Sequence, residues 1–408
     1  MAIHTRGPAD EADRAERRRR IVEVAAELSD DFETRAAEHD RDASFPHENF
    51  ARMRETGFLA LTVPEELGGM GGGLVDLMSA IERLSRGCAS TALAAAMHLA
   101  HVAYMSDEWR RTGEPKFERV LRLCGEGAFV LSGAMSETET GSHIAYGTTT
   151  ATRVDGGFLI NGKKIFCTTS PGMTHFRSAG TWHSPDGPRM VNYMVPAGTP
   201  GLKPLGDWDT MGMRATGSQS IQLDNMFVPD EHVWEIRTPG VFDNFLVKLM
   251  FYGWLGAIVI CYVGIAGAMR DFAVNWAGQR IRYPNPRPVA FEPGTQAAVA
   301  RIDADLTSAR TLLYNVAQAY ESEGNWTLEE MLMRGGQVKY VASRNVVRIA
   351  HDAMYLIGGL SYFKKLPFER MYRDVISMPF HPRSFDDAEE ALGKHALGIP
   401  LNCEPRWG

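Results

Sequence analysis

Residues 136–143 read Ser136-Glu137-Thr138-Glu139-Thr140-Gly141-Ser142-His143, and residues 161–168 read Asn161-Gly162-Lys163-Lys164-Ile165-Phe166-Cys167-Thr168. Both segments lie between about residues 128 and 237, where short runs of Val, Ile, Thr and Phe alternate with Gly, Asp, Asn and Pro. Such spacing indicates several short strands, with hairpin turns at Asp155-Gly156 and at Asn161-Gly162. We therefore expect a small β-barrel or β-sandwich in the middle of the chain.

Segments of helical character flank this strand-rich region on both sides. In residues 11–125, apolar residues recur three and four positions apart, as they do at Ile21, Val24, Ala25 and Leu28. Helices return from about residue 240 to 397, with a proline-rich loop at 280–294. The order predicts an α+β chain of three domains: helical (1–127), β (128–237) and helical (238–408).

Composition excludes several classes of protein. The chain has 408 residues, of which 44% are hydrophobic, and its formal net charge of −7 gives no basic footprint for nucleic acid. Five cysteines without C-x-x-C or zinc spacing indicate no disulfide framework and no metal site, and they favour a reducing cytoplasm. The charged N-terminus is unlike a signal peptide, and the apolar stretch 255–269 is too short to span a bilayer. We expect a cytoplasmic protein without membrane contact.

Five motifs, in this order along the chain, resemble those of the acyl-CoA dehydrogenase superfamily. Besides segments 136–143 and 161–168, they are Val63-Pro64-Glu65-Glu66-Leu67-Gly68-Gly69, residues 209–216 followed by Phe227-Val228-Pro229, and Ile357-Gly358-Gly359 with Tyr372-Arg373-Asp374. The resemblance covers about residues 45–397. It implies that family's fold, in which the C-terminal domain is a four-helix bundle, and assembly as a homotetramer or homodimer.

The resemblance also implies a flavin between the β-domain and the C-terminal helices, which is FAD in the family, with FMN as the alternative in this chain. The residues that match flavin contacts of the family are Met135, Ser136 and Ser142 along one edge of the ring, Phe166 beside it, Thr168 near N5 or O4, Arg280 at the pyrophosphate, and Gly358 and Gly359. The pattern departs at the adenine half, because Pro284 stands where the family has Gly and Tyr355 stands where it has Gln.

The carboxylate base of the classical members is missing. Those enzymes oxidise acyl thioesters with a Glu that removes the α-proton. Here Pro382 occupies that position, and helix 247–254, which carries the base in some relatives, has no acid. A branch of two-component flavin monooxygenases also lacks the Glu and uses histidines to steady a flavin C4a-hydroperoxide. His381, and His98 on the N-domain helix, resemble those histidines, since a neutral imidazole both donates and accepts. The alternative for His98 is packing.

Three functions are compatible with these residues. The first is a flavin monooxygenase, supplied by a separate flavin reductase, in which His381 and His98 are catalytic and the substrate is a small organic or thioester-bound molecule. The second is an acyl-CoA or acyl-carrier-protein dehydrogenase, with His381 as the base, Ser142 on the thioester and an electron-transfer flavoprotein as acceptor. The third is a degenerate flavin-binding scaffold. Retention of Glu137 and Ser142 favours thioester binding, which leaves the first two open.

Overall fold

The computed structural model describes residues 8–140, 145–382 and 384–401, and it begins with five helices. Helix α1 buries one face at three- and four-residue spacing, formed by Ile21, Ala25, Leu28, Phe32 and Ala36. The predicted apolar periodicity therefore becomes the inner face of the N-terminal helices. These are α1 (Pro8–Asp42), α2 (His47–Glu55), α3 (Leu74–Leu84), α4 (Ala89–Thr112) and α5 (Pro115–Gly125).

The middle of the chain is one eight-stranded sheet, which confirms the strand-rich reading. Its hydrogen-bonded order is β6-β7-β3-β2-β4-β5-β8, and β1 pairs in parallel with β4. The hairpin predicted at Asp155-Gly156 joins β2 to β3 as expected. The strands are β1 (Leu131–Ala134), β2 (Thr150–Val154), β3 (Gly157–Cys167), β4 (His175–Ser184), β5 (Gly187–Pro196), β6 (Leu202–Pro204), β7 (Gln219–Pro229) and β8 (Val233–Arg237).

The second predicted hairpin, at Asn161-Gly162, is wrong. Strand β3 runs straight through this dipeptide, and the ladder to β7 shifts register between Ile160 and Gly162. Asn161 instead accepts a hydrogen bond from the backbone of Asn225 on the neighbouring strand, at 2.8 Å. A Gly inside a strand often marks a bulge rather than a turn, and here the pairing of β3 with β2 and β7 keeps the strand continuous.

Helices return after the sheet and form the C-terminal part. Long helices α8 and α9 pack against α7, and Thr327 caps α9 by accepting the backbone N–H of Glu330 at 3.2 Å. The proline-rich loop lies between α7 and α8, as predicted. The helices are α6 (Asn244–Tyr252), α7 (Ile260–Gln279), α8 (Pro293–Glu323), α9 (Leu328–Ile357), α10 (Phe368–Val375) and α11 (Phe385–Ala396).

A π-helical turn, Gly253–Val259, joins α6 to α7 without a break. By length and composition, the combined segment Asn244–Gln279 is the one helix in the described ranges that could cross a membrane, but 94% of its most apolar window is buried inside the protein. It therefore serves as the central core helix. Turns of π-helix inside α-helices are frequent at functional sites.

A loop from the sheet is fastened to the C-terminal helices by a close backbone approach. The buried carboxylate of Asp374 accepts the backbone N–H of Met213 at 2.6 Å. A Cβ at Gly212 would lie 2.1 Å from the carbonyl oxygen of Arg373, so only Gly fits there. This contact closes one wall of a cavity between the three parts of the chain.

Candidate functional site

A cavity of about 680 Å³ lies where α4, the sheet and the C-terminal helices meet. Its walls are mainly apolar, and they include five methionines and two tryptophans. A volume in this range suits a drug-sized ligand held by apolar walls and a few polar groups. The apolar residues are Leu93, Met97, Ala100, Met135, Ile165, Phe166, Trp208, Met211, Met213, Leu249, Met250, Trp254, Ile258, Ile376, Pro379, Phe380 and Pro382.

Phe166 projects into the cavity because of a bulge near the end of β3. The ladder to β7 shifts between Lys164 and Cys167, and Phe166 adopts a left-handed backbone with φ +54°. This conformation is strained for an aromatic residue, and bulges of this kind re-aim side chains at functional sites. The ring is 60% exposed and meets Trp208 edge-on, with centroids 6.0 Å apart. The two rings form an aromatic wall of the cavity.

Polar groups line the cavity next to this wall. Thr168 shares a hydrogen bond with Ser218 at 2.9 Å, and its backbone carbonyl accepts one from Ser132 at 2.7 Å. Met135 and Ser136 lie on the cavity surface nearby, and the Ser136 carbonyl accepts the N–H of Ile165 at 3.0 Å. The structure thus brings together four predicted flavin contacts, Met135, Ser136, Phe166 and Thr168.

His381 lies on the opposite wall of the cavity. Its Nε2 is 2.8 Å from the hydroxyl of Tyr262, which is itself 2.5 Å from the hydroxyl of Ser377. Burial, followed by the nearby charge of Lys339, lowers the pKa of His381 to about 3. The imidazole is therefore neutral at physiological pH.

His98 does not line the cavity, which corrects its prediction as a catalytic residue. Its Nε2 donates to the carbonyl of Leu59 at 3.0 Å, and its Nδ1 accepts the N–H of Leu131 at 3.1 Å. Both ring nitrogens are thus used by the backbone, and burial lowers the pKa of His98 to about 4. The side chain ties α4 to the start of β1 and to the turn after α2, which is the packing role that was the alternative.

His101 lines the cavity instead, and sequence reasoning missed it. On an α-helix, positions 93, 97, 100 and 101 share one face, so the cavity face of α4 could have been read from its spacing. His101 donates from Nδ1 to the carbonyl of Met97 at 2.8 Å, which leaves Nε2 as an acceptor. Burial and the charge of Arg177 lower the pKa of His101 to about 3. A Cβ at Gly133 would lie 2.6 Å from its ring.

Three other predicted flavin contacts lie away from this cavity. Arg280 is exposed at the C-terminal end of α7, beside the proline-rich loop. Gly358 and Gly359 follow α9, and a Cβ at either would meet open space. The structure of one chain does not bring them to the aromatic wall. Ser142 lies outside the described residues.

Glu137, counted at first as a sign of thioester binding, has a structural role. Its carboxylate is fully buried and accepts hydrogen bonds from the Lys164 ammonium, from the Thr148 hydroxyl at 2.6 Å and from the Thr149 N–H at 3.1 Å. Burial alone would raise the pKa of this carboxyl, but the Lys164 charge and the hydrogen bonds hold it below its usual range. Glu137 therefore stabilises the sheet and does not face a ligand.

No carboxylate lines the cavity among the residues that the structure describes. The one fixed charge there is Arg373, and its guanidinium is bonded to the carboxylates of Asp40 at 2.6 Å and Glu369 at 2.7 Å. The described chain also holds no cluster of three or more side chains suited to a metal ion. The cavity therefore offers neutral imidazoles, hydroxyls and apolar surface.

Comparison with known families gives three matches along the chain. Residues 15–126 match the acyl-CoA dehydrogenase N-terminal domain, residues 132–226 its middle domain and residues 257–382 its C-terminal domain. Together these three segments span most of the chain.

Individual relatives include enzymes of two kinds. The chain is 31% identical over 394 residues to the amino sugar nitrososynthase DnmZ of Streptomyces peucetius, covering 93% of each protein. It is 28% identical over 341 residues to the mitochondrial short-chain specific acyl-CoA dehydrogenase of Rattus norvegicus, covering 83% of this chain and 80% of that protein. The X-ray structure of KijD3 in complex with FMN and dTDP-3-amino-2,3,6-trideoxy-4-keto-3-methyl-D-glucose superposes with a TM-score of 0.84, at 31% identity and 96% coverage of both chains.

Proposed function

The chain belongs to the acyl-CoA dehydrogenase family and is a flavin-dependent oxidoreductase, and from this premise we propose that it is a flavin monooxygenase. One observation carries the proposal: no carboxylate lines the cavity in the described part of the chain. The α-proton of a thioester must be removed by a base within hydrogen-bond reach. Pro382 holds the place where the classical base stands, and Pro has no titratable group.

The histidines are poor substitutes for that base. A general base works best when its pKa lies near the operating pH. Burial holds the pKa of His381 at about 3 and that of His101 at about 3, so neither imidazole has much driving force to take a carbon-bound proton. A neutral imidazole is well suited to hydrogen bonding with a polar oxygen group. This favours the monooxygenase over the dehydrogenase that would use His381.

The residues present fit a flavin ring. Phe166, which the bulge turns into the cavity, and Trp208, which meets it edge-on, provide an aromatic surface. The hydroxyl of Thr168 and the backbone at Met135 and Ser136 provide polar partners for the edge of the flavin ring. When bound in its reduced form, the flavin would supply the activation of O2. A separate flavin reductase would deliver it.

Around that ring, this chain's own side chains would have three tasks. The apolar walls exclude water, which strengthens every hydrogen bond formed inside. His101 and His381 offer neutral ring nitrogens from two different walls. Trp254 donates from Nε1 to the carbonyl of Pro382 at 2.7 Å and so holds the backbone beside His381 in place.

We further propose FMN as the flavin, with a second copy of the chain nearby. Arg280, Gly358 and Gly359, the residues that match the FAD contacts of the family, do not reach the cavity within one chain. Phe380, by contrast, lines the cavity and is 79% exposed, so its outer face is available to a neighbouring subunit. Assembly as a homodimer or homotetramer would cover it. Four free, buried cysteines fit a reducing cytoplasm.

The proposed substrate is a small, mostly apolar organic molecule. A diphosphate group is normally bound by arginines, lysines or a helix N-terminus. The one arginine on the described cavity surface, Arg373, is already paired with Asp40 and Glu369. The described residues therefore offer a nucleotide sugar no free cation in this cavity, although the relative KijD3 was crystallised with one.

The test follows oxygen and flavin separately. Purified protein is mixed anaerobically with reduced FMN, oxygen is added, and both oxygen consumption and the absorbance of oxidised flavin are recorded. We expect oxygen to disappear first and the oxidised flavin to return after a delay that free flavin does not show. The delay should shorten in His381→Ala and in His101→Ala, and it should persist in the surface control His351→Ala.

Other outcomes discriminate the alternatives. Anaerobic bleaching of protein-bound oxidised flavin by butyryl-CoA would contradict the proposal and support the dehydrogenase. Reoxidation as fast as that of free flavin, without detectable flavin binding, would support the scaffold. The mass of flavin released from the purified protein distinguishes FMN from FAD.

A further inference from the structure

A chain of three hydrogen bonds leads from His381 to a backbone carbonyl. His381 Nε2 lies 2.8 Å from Tyr262 Oη, Tyr262 Oη lies 2.5 Å from Ser377 Oγ, and Ser377 Oγ lies 2.6 Å from the carbonyl oxygen of Asp374. Tyr262 is fully buried on the core helix α7, and Ser377 lies between α10 and His381. Nothing in the sequence predicts that these two side chains meet.

The number of available protons decides which group donates in each of these three hydrogen bonds. Each hydroxyl has one proton to donate, and a carbonyl oxygen only accepts. Ser377 must therefore donate to Asp374, since otherwise two oxygens would stand 2.6 Å apart with no proton between them. Ser377 then accepts from Tyr262, and the Tyr262 oxygen is left to accept from His381. The carbonyl at the end of the chain thus fixes which way every bond points.

We propose that Tyr262 and Ser377 are positioning residues that hold His381 in the tautomer protonated on Nε2. Nδ1 has no hydrogen-bond partner in the described part of the chain, and in this tautomer it carries a free lone pair. His101 has the opposite tautomer, because its Nδ1 donates to Met97, but it too keeps an unprotonated nitrogen, Nε2. Each of the two histidines that line the cavity therefore keeps one ring nitrogen that accepts hydrogen bonds, Nδ1 in His381 and Nε2 in His101.

This arrangement limits the groups with which His101 and His381 can form hydrogen bonds. Two acceptors require a group with N–H or O–H donors, such as an amine, an oxime, a phenol or a protonated oxygen species. A carboxylate or a bare carbonyl would face lone pairs and be disfavoured. Within the proposed monooxygenase function, on which this consequence rests, the substrate is an N–H or O–H compound whose apolar part meets the methionine-rich wall.

Burial of Tyr262 protects this series of hydrogen bonds. Tyr262 is fully buried, so its hydrogen bonds have few competitors from water, and burial raises the pKa of Tyr262 well above its ordinary value. Ser377 is half-buried and lies on the cavity wall. Burial also keeps His381 neutral, which is the state in which a tautomer is defined. The direction fixed by Asp374 therefore persists over the physiological pH range.

The experiment reads the tautomer directly by solid-state NMR of protein that contains ¹⁵N-labelled histidine. The resonances of His381 are assigned by their loss in His381→Gln. We expect Nε2 protonated in the wild type and a shift of the proton to Nδ1 in Ser377→Ala, because Tyr262, having lost its acceptor, turns its proton to His381. In Tyr262→Phe, which removes the acceptor, a mixture of tautomers is expected.

Ser361→Ala is the matched control, because Ser361 is a buried serine that also donates to a carbonyl, that of Gly358 at 2.7 Å, and should leave His381 unchanged. A wild-type His381 protonated on Nδ1, or a Ser377→Ala variant that keeps Nε2 protonated, would overturn the proposal. If Ser377→Ala does not fold, Tyr262→Phe decides. The measurement needs neither flavin nor substrate, so its failure is separate from failure of the monooxygenase proposal.

Discussion

His98 offers the sharpest quantitative test of the structure. Both of its ring nitrogens are bonded to backbone groups, and burial holds its pKa at about 4 in the folded protein. In the unfolded chain the pKa of a histidine is about 6.5. The unfolded state therefore binds more protons than the folded state between these two values, so stability falls as the pH drops below about 6.5 towards 4.

The magnitude follows from these two pKa values. At pH 7 the ring is mostly neutral in both states, whereas at pH 5 it is protonated almost completely in the unfolded chain and only to about a tenth in the fold. Linkage gives a loss of about 2 kcal/mol between pH 7 and pH 5 from His98 alone. His101 and His381 have similarly lowered pKa values and add comparable losses.

The assay is urea unfolding at both pH values, followed by tryptophan fluorescence, for the wild type and for His98→Gln. Gln has an amide donor and a carbonyl acceptor but does not titrate, so the variant should lose about 2 kcal/mol less than the wild type over the same pH interval. Because each protein is compared with itself, any fixed cost of the substitution cancels. Equal losses in the two proteins would refute the reasoning, since His98 would then titrate in the fold as it does in water.

Two further predictions concern the sheet and the substrate. Lys164→Met leaves the buried carboxylate of Glu137 without its cation, so we expect the free energy of unfolding in urea to fall by about 3–5 kcal/mol. The double variant with Glu137→Gln should lose less stability than the sum of the two single variants. A loss below about 1 kcal/mol for Lys164→Met would show that the pair does not hold the sheet. Addition of millimolar dTDP should leave the melting temperature unchanged, because Arg373 is already paired; a rise of several degrees would instead indicate a nucleotide site.

The hairpin between β2 and β3 was predictable because its signal is local. Turn residues at Asp155-Gly156 fix a two-residue loop by their own backbone preferences, and the hairpin forms there. The same logic failed at Asn161-Gly162, where pairing with β7 on one side and β2 on the other holds a continuous strand. Local turn preference loses when the dipeptide has partners on both edges, and the sequence does not reveal those partners.

The histidines show the same limit within the candidate site. His98 and His101 lie one helical turn apart, and only the spacing of the apolar residues distinguishes the face that meets the cavity from the face that meets the backbone of Leu131. His381 was predicted from its place beside the missing Glu, and the structure puts it on the cavity wall. The contact between Tyr262 and Ser377 had no signal in the sequence, because 115 residues separate the two hydroxyls that meet.

The π-helical turn Gly253–Val259 sets the rotational phase of the core helix. Such a turn accommodates one residue more than an α-helix of the same length, and each residue of an α-helix corresponds to a rotation of about 100°. All side chains after the turn are therefore rotated by about that angle relative to an unbroken helix. Trp254 and Tyr262 are eight residues apart, which in an unbroken α-helix corresponds to an angle of about 80° around the axis. The extra residue brings the two side chains closer to one face, and both contact the segment that carries Ser377, His381 and Pro382. The extra residue therefore turns the later part of the helix about its axis, so that one helix contacts two neighbouring points of the same short segment.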